Sequence, residues 1–288
     1  MKEKKKVHLV LGSGGARGVA HIGVIEELER QGYEIIEVIG CSMGAVVGGI
    51  YCAGQLEEYK KWMLSLTKKK VFDLLDFTFT KQGFIKGEKL FGKHIEVTGN
   101  QNIEDFKIPF TAVATDMRHH EEVHFRKGDL FKALRASVSL PGIFTPVVEN
   151  NKVLVDGGVL NPLPINLVNK QEGAIIVAVD INSRTIIEDL LVKEKKEERK
   201  KYWFEDILPD SIKDFTMGDG KKKEESFSLF ELMESTFSFT QDRLTTVMIE
   251  HYKPDILVEI PRDTCDMFEF YKAKELIEIG VKALNKSL

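Results

Sequence analysis

Apolar runs and glycine-rich breaks follow one another along the chain and predict alternating strands and helices. Residues 7–11 form a short apolar run, as expected of a strand covered on both faces, and a glycine-rich loop occupies 12–18. Over 19–31, Val19, Ile22, Ile25 and Leu28 recur at helical spacing, and Gly32 is a stop signal. Residues 35–39 predict a second strand, and an apolar helix follows from about 43 to 53. Strand, glycine loop, helix, strand, sharp turn and helix together open a doubly wound α/β sheet.

Further along, the pattern predicts a helix over 87–96, strands over 110–115 and 122–125, and a short helix over 130–137. Residues 147–155 read as a hairpin that turns at Asn150 and Asn151, and 173–181 as a buried strand. After Arg184 the composition shifts. The stretch 193–201 has no apolar residue and must be solvated. Aromatics then accumulate at Tyr202, Trp203 and Phe204 and again over 227–239. Residues 185–235 are expected to be an insertion on a single domain spanning 1–288. A helical stretch over 243–252, a strand over 256–260 and a helix over 268–284 return the chain to the core.

Composition narrows the function classes. With 43 % apolar and 30 % charged residues the chain has the make-up of a soluble globular protein. A net charge of −4 offers no general attraction to phosphate backbones, which argues against nucleic acid as a partner. Three cysteines, Cys41, Cys52 and Cys265, fit neither a disulfide framework nor a zinc site. The lysine-rich start followed by 7–11 is too short for a signal peptide, and no run reaches the length of a membrane span. The expected location is the cytoplasm, with any peripheral contact at the inner face of the membrane.

Three motifs carry candidate chemistry. Gly40-Cys41-Ser42-Met43-Gly44 lies directly between a strand and a helix, the setting of a nucleophile elbow, and makes Ser42 the candidate nucleophile. Its glycines allow the sharp turn, and the apolar helix behind directs its positive end at the serine. The loop with Gly12, Gly14, Gly15, Arg17 and Gly18 fails both phosphate patterns. No Gly-Lys-Ser/Thr ends it, Arg17 stands where the dinucleotide fingerprint has its third glycine, and no acidic residue closes the next strand. What remains is a row of unhindered backbone N–H groups suited to an oxyanion, with Arg17 either adding charge for an anionic head group or, the favoured reading, bracing the loop. Asp156, followed by Gly157 and Gly158, puts a carboxylate on a corner that another backbone can approach closely.

These motifs, in this order, resemble the patatin-like phospholipase family. The stretch with Ala136, Ser137, Pro141, Gly142, Phe144 and Pro146 also resembles the segment that this family places ahead of its aspartate. The resemblance covers about 7–181. It implies a three-layer α/β/α sandwich with a mainly parallel central sheet, and a Ser42–Asp156 dyad without histidine. It also implies oxyanion donors at Gly14 and Gly15, and lipid esters as substrates. No motif calls for a cofactor or a metal, calcium included.

Two other schemes compete. A Ser-Asp-His triad needs a histidine after Asp156, and only His251 qualifies; its place at the end of a helix suggests an interaction with the helix dipole instead. A non-catalytic lipid-binding regulator on the same fold would show a lost motif residue, and none is missing. The aromatics of the insertion are expected to form either a lid or membrane-contact surface, or a packing or homodimer contact.

Overall fold

The computed structural model describes residues 5–75, 77–80, 83–85, 89, 92, 101–184 and 229–288. Its main sheet has eight strands. In spatial order these are β10 (Ile256–Pro261), β9 (Ile175–Ser183), β1 (Lys6–Leu11), β2 (Glu34–Cys41), β5 (Phe110–Asp116), β8 (Lys152–Asp156) and β7 (Val147–Glu149). The eighth, β6 (Glu121–Phe125), pairs with β5. The run from β10 to β5 is parallel, and β6, β7 and β8 are antiparallel additions. A separate small hairpin joins β3 (Phe77–Thr80) to β4 (Gly83–Ile85).

The strand periodicity of two sorts side chains between two helical layers. Val7, Leu9 and Leu11 of β1 and Val177, Val179 and Ile181 of β9 share one core with α1 (Ala20–Arg30), α2 (Met43–Cys52) and α7 (Ala273–Ser287). Val10, Ile176 and Ala178 face the other way and pack with Met248 and Ile249 of α6 (Leu229–Tyr252). The result is the expected α/β/α sandwich. Gly23 of α1 and Gly280 of α7 bring these helices together, since a Cβ at either would strike the backbone of the other. Smaller helices α3 (Leu56–Leu64), α4 (Lys68–Leu74) and α5 (Leu130–Ser137) complete the first layer, and α5 follows an Asp129 cap that accepts from the Lys132 N–H.

Strand register brings two distant segments together. Cys41, the last residue of β2, is the partner of Val113, and Asp156, the last of β8, is the partner of Ala114. Because β2 runs parallel and β8 antiparallel to β5, the two strands end head to head against neighbouring residues. Asp116 holds β8 in that position. Its Oδ1 accepts the N–H groups of Arg118 (3.0 Å) and Val153 (3.1 Å). The β7–β8 turn is the expected one, with Asn150 and Asn151 at φ 48° and 61°.

Several boundaries differ from the sequence pattern. The 173–181 strand begins at Ile175, because Gly173 takes φ 77° and turns the chain first. The helix expected from 268 starts at Ala273 after a single tight turn at Phe270–Lys272. The helix expected over 87–96 lies outside the described residues except at 89 and 92. Residues 185–228 of the insertion lie outside them as well, while 229–235 form the start of α6.

Candidate active site

The elbow forms where β2 meets α2. Ser42 takes φ 55° and ψ −125°, a backbone conformation unusual for a residue with a side chain. The glycines on either side make it feasible. A Cβ at Gly40 would collide with the backbone of Gly44 and Ala45, and one at Gly44 with the Leu11 carbonyl. A residue from α5 secures the turn: Ser137 Oγ accepts the Ser42 N–H at 2.9 Å and donates to the Val113 carbonyl at 2.7 Å. Behind Ser42, α2 is buried along nearly its whole length and points its positive end at the serine.

Asp156 meets Ser42 from the opposite strand. Ser42 Oγ donates to Asp156 Oδ2 at 2.7 Å. Oδ1 accepts the Gly158 N–H at 2.8 Å and lies 3.9 Å from the Cys41 thiol, a weak donor. Burial pushes the Asp156 carboxyl up to about 6, while the hydrogen bonds from Ser42, Gly158 and Cys41 pull the other way. Gly157 is the expected point of close approach, since a Cβ there would strike the Val113 carbonyl. The Cys41 thiol is itself pushed up, first by burial and then by the Asp156 charge, so it stays protonated.

The glycine loop wraps around the same point. The N–H groups of Gly12, Ser13 and Ala16 are held by the carbonyls of Val179 (3.0 Å), Pro162 (2.9 Å) and Met267 (2.9 Å). Those of Gly14 and Gly15 have no acceptor among the described residues, and both glycines line the cavity that contains Ser42. Gly15 sits at φ 58°, and a Cβ at Gly14 would press into the Ile181 side chain. Gly18 packs against Met43 at the start of α2.

Arg17 braces the loop as expected. It donates to the carbonyls of Ile181 (3.0 Å), Arg262 (3.3 Å) and Cys265 (3.0 Å) and to Asn182 Oδ1 (2.7 Å). His21 adds a second brace, with Nε2 3.0 Å from the Gly12 carbonyl; burial lowers this imidazole to about 4 and keeps it neutral.

A cavity of about 740 Å³ opens onto these groups. Its walls are mostly apolar, with Met43, Val46, Val138, Leu140 and Phe144 contributed by the sheet domain. Leu232, Met233, Phe237 and Gln241 of α6 line it too, as does Arg262 beyond β10. The sequence pattern marks 227–239, which holds Phe237, as rich in aromatics, but singles out neither Gln241 nor Arg262. None of the described histidines lines the cavity. His251 is exposed at the end of α6, edge-on to Tyr252 at 4.7 Å between ring centroids. Among the described residues no helix is long and apolar enough to cross a membrane.

Known proteins share this sequence pattern. The sequence model of the patatin-like phospholipase family matches residues 9–168, which hold all three motifs. An uncharacterized NTE family protein of Mycobacterium tuberculosis is 33 % identical over 98 % of this chain and 91 % of its own length. Lysophospholipase NTE1 of Cryptococcus neoformans is 35 % identical over 62 % of this chain and 11 % of its own length. Neuropathy target esterase sws of Drosophila melanogaster is 33 % identical over 62 % of this chain and 13 % of its own length. The chain thus belongs to the patatin-like phospholipase family, a family of lipid ester hydrolases.

Proposed function

We propose that the chain cleaves lipid carboxylic esters through an acyl-Ser42 intermediate, with Asp156 as the only base. The observation that carries this is the 2.7 Å bond from Ser42 Oγ to a buried carboxylate. An ordinary carboxylate is a weak base for a hydroxyl; one raised to about 6 by burial is closer to the working pH.

Ser42 Oγ attacks the ester carbonyl and its proton passes to Asp156 Oδ2. The free N–H groups of Gly14 and Gly15 hold the oxyanion, a role in which one donor is worth about 3 kcal/mol. When the carbon–oxygen bond breaks, Asp156 returns the proton to the departing alcohol oxygen. Water then attacks the acyl-serine with Asp156 again as base, releasing the acid and restoring Ser42.

The cavity suits an acyl chain, being lined by aliphatic and aromatic side chains. Leu232 and Met233 line it while remaining 50 % and 49 % exposed, which favours entry from a lipid surface. This supports a peripheral contact of the chain with a membrane surface. A triad through His251 gains no support from its exposed position outside the cavity.

The test is a panel of p-nitrophenyl esters and phospholipids, run on wild type and Ser42→Ala, with fluorophosphonate labelling in parallel. Hydrolysis and labelling that both vanish in Ser42→Ala are expected. A wild type that binds lipid but neither turns over nor labels would make the chain a binding protein.

A further inference from the structure

Several polar side chains in the cavity come from outside the matched stretch of 9–168, and Gln241 is the one set against the proposed base. Gln241 of α6 is 7 % exposed, and its Nε2 donates to Ser13 Oγ at 3.3 Å. It also lies against Gly158: a Cβ built there would collide with Nε2 and stand 3.1 Å from Asp156 Oδ1 and 3.2 Å from Ser13 Oγ. The carboxamide, the Ser13 hydroxyl and the carboxylate of the proposed base therefore cluster around Gly158, and all three side chains line the cavity. The amide oxygen, Oε1, has no partner among the described residues.

Its position is built rather than incidental. The next residue, Asp242, pairs with both Arg262 and Arg184. Arg262 also donates to Ser238 Oγ on α6 and to the Asn182 carbonyl. Asn182 in turn donates to the Ser13 carbonyl at 2.6 Å and accepts from Arg17. A continuous set of ion pairs and hydrogen bonds thus ties this part of α6 to the glycine loop.

We infer that Gln241 and Ser13 form a polar subsite for a free hydroxyl on the departing alcohol. This rests on the hydrolase reading above. The base must hand its proton to the leaving oxygen as the carbon–oxygen bond breaks, so the alcohol departs beside Asp156, where the carboxamide lies. A neutral amide can donate to and accept from a hydroxyl, whereas an alkyl alcohol covers Oε1 without giving it a donor. The favoured leaving group is a polyol such as glycerol.

The experiment compares a glycerol monoester and the propyl ester of the same acid, which differ only in the hydroxyls of the leaving group. Wild type should favour the glycerol ester in kcat/KM by about tenfold or more. Gln241→Met, which keeps the side-chain length, should bring that ratio close to one, and Gln241→Asn should lower it part of the way. Because each ratio is taken within one protein, partial loss of folded enzyme cancels; if Gln241→Met has no activity, Gln241→Asn decides. A ratio unchanged by these variants, or an active wild type without preference, overturns the inference and leaves the hydrolase reading standing. A wild type inactive on both esters overturns the two together.

Discussion

Cys41 and Asp156 lie opposite neighbouring residues of one strand, Val113 and Ala114, so two chain segments far apart in sequence end face to face. The residue after Cys41 is the elbow serine, and this register delivers its Oγ to the carboxylate. Strand pairing, more than any flexible loop, sets the 2.7 Å contact.

The pH dependence follows from burial. A base raised to about 6 must lose its proton before it can accept one from Ser42. The kcat/KM for an uncharged ester should therefore rise with pH, reach half its maximum near 6 and then level off. In Cys41→Ala, which removes a donor to Oδ1, the midpoint should move upward. A profile that stays flat across this range would speak against Asp156 as the base.

Stability should run the other way. The folded carboxyl binds its proton more tightly than the unfolded one, which has a value of 3.8, so its contribution is complete below that pH and is lost as pH rises through about 6. Asp156→Asn removes this penalty. Its Tm at pH about 8 should equal or exceed that of wild type, since the lost desolvation cost opposes the lost hydrogen bonds. Thermal denaturation at that pH and at pH about 4 gives the comparison, with the advantage of the variant disappearing in acid.

Ser137 should matter although it touches no substrate. Ser137→Ala strands the buried Ser42 N–H and Val113 carbonyl, at a cost of about 1–3 kcal/mol in urea denaturation. It also releases the strained elbow, so kcat should fall about tenfold with KM little changed. A fall in stability with full kcat would confine Ser137 to the fold.

Much of the site was legible because its signals are local. Gly40 and Gly44 announce the elbow through backbone crowding that involves adjacent elements, and Asn150 and Asn151 announce their turn through positive φ. The bracing role favoured for Arg17 is met by its four acceptors. Other features had no local signal. The antiparallel pairing of β8 with β5 depends on contacts across the sheet and on Asp116. The sequence pattern predicts the α6 helix only from 243 onward, because the aromatics ahead of that point do not share one apolar face: Phe237 lines the cavity and Phe239 is 62 % exposed. Gln241 and Arg262 carry no sequence signal for a related reason, since nothing in their own neighbourhoods marks a polar residue as facing a distant loop.

Arg17 offers a test of how far the brace serves the glycine loop. Lysine keeps the charge but cannot reach carbonyls on two segments with a planar fork. Arg17→Lys should lower Tm and reduce kcat by more than about tenfold, as the Gly14 and Gly15 amides lose their fixed aim. Steady-state kinetics on a short ester would show this, and an unchanged kcat would mean that the loop holds its shape without the fork.

The most direct measurement is kcat/KM for a p-nitrophenyl ester in Asp156→Asn and wild type at the same pH, with the fold of each checked by circular dichroism. Loss of a positioned general base should reduce the rate by about 10²–10⁴-fold while the fold stays intact. A folded Asp156→Asn that keeps most of its activity would contradict the Ser42–Asp156 dyad.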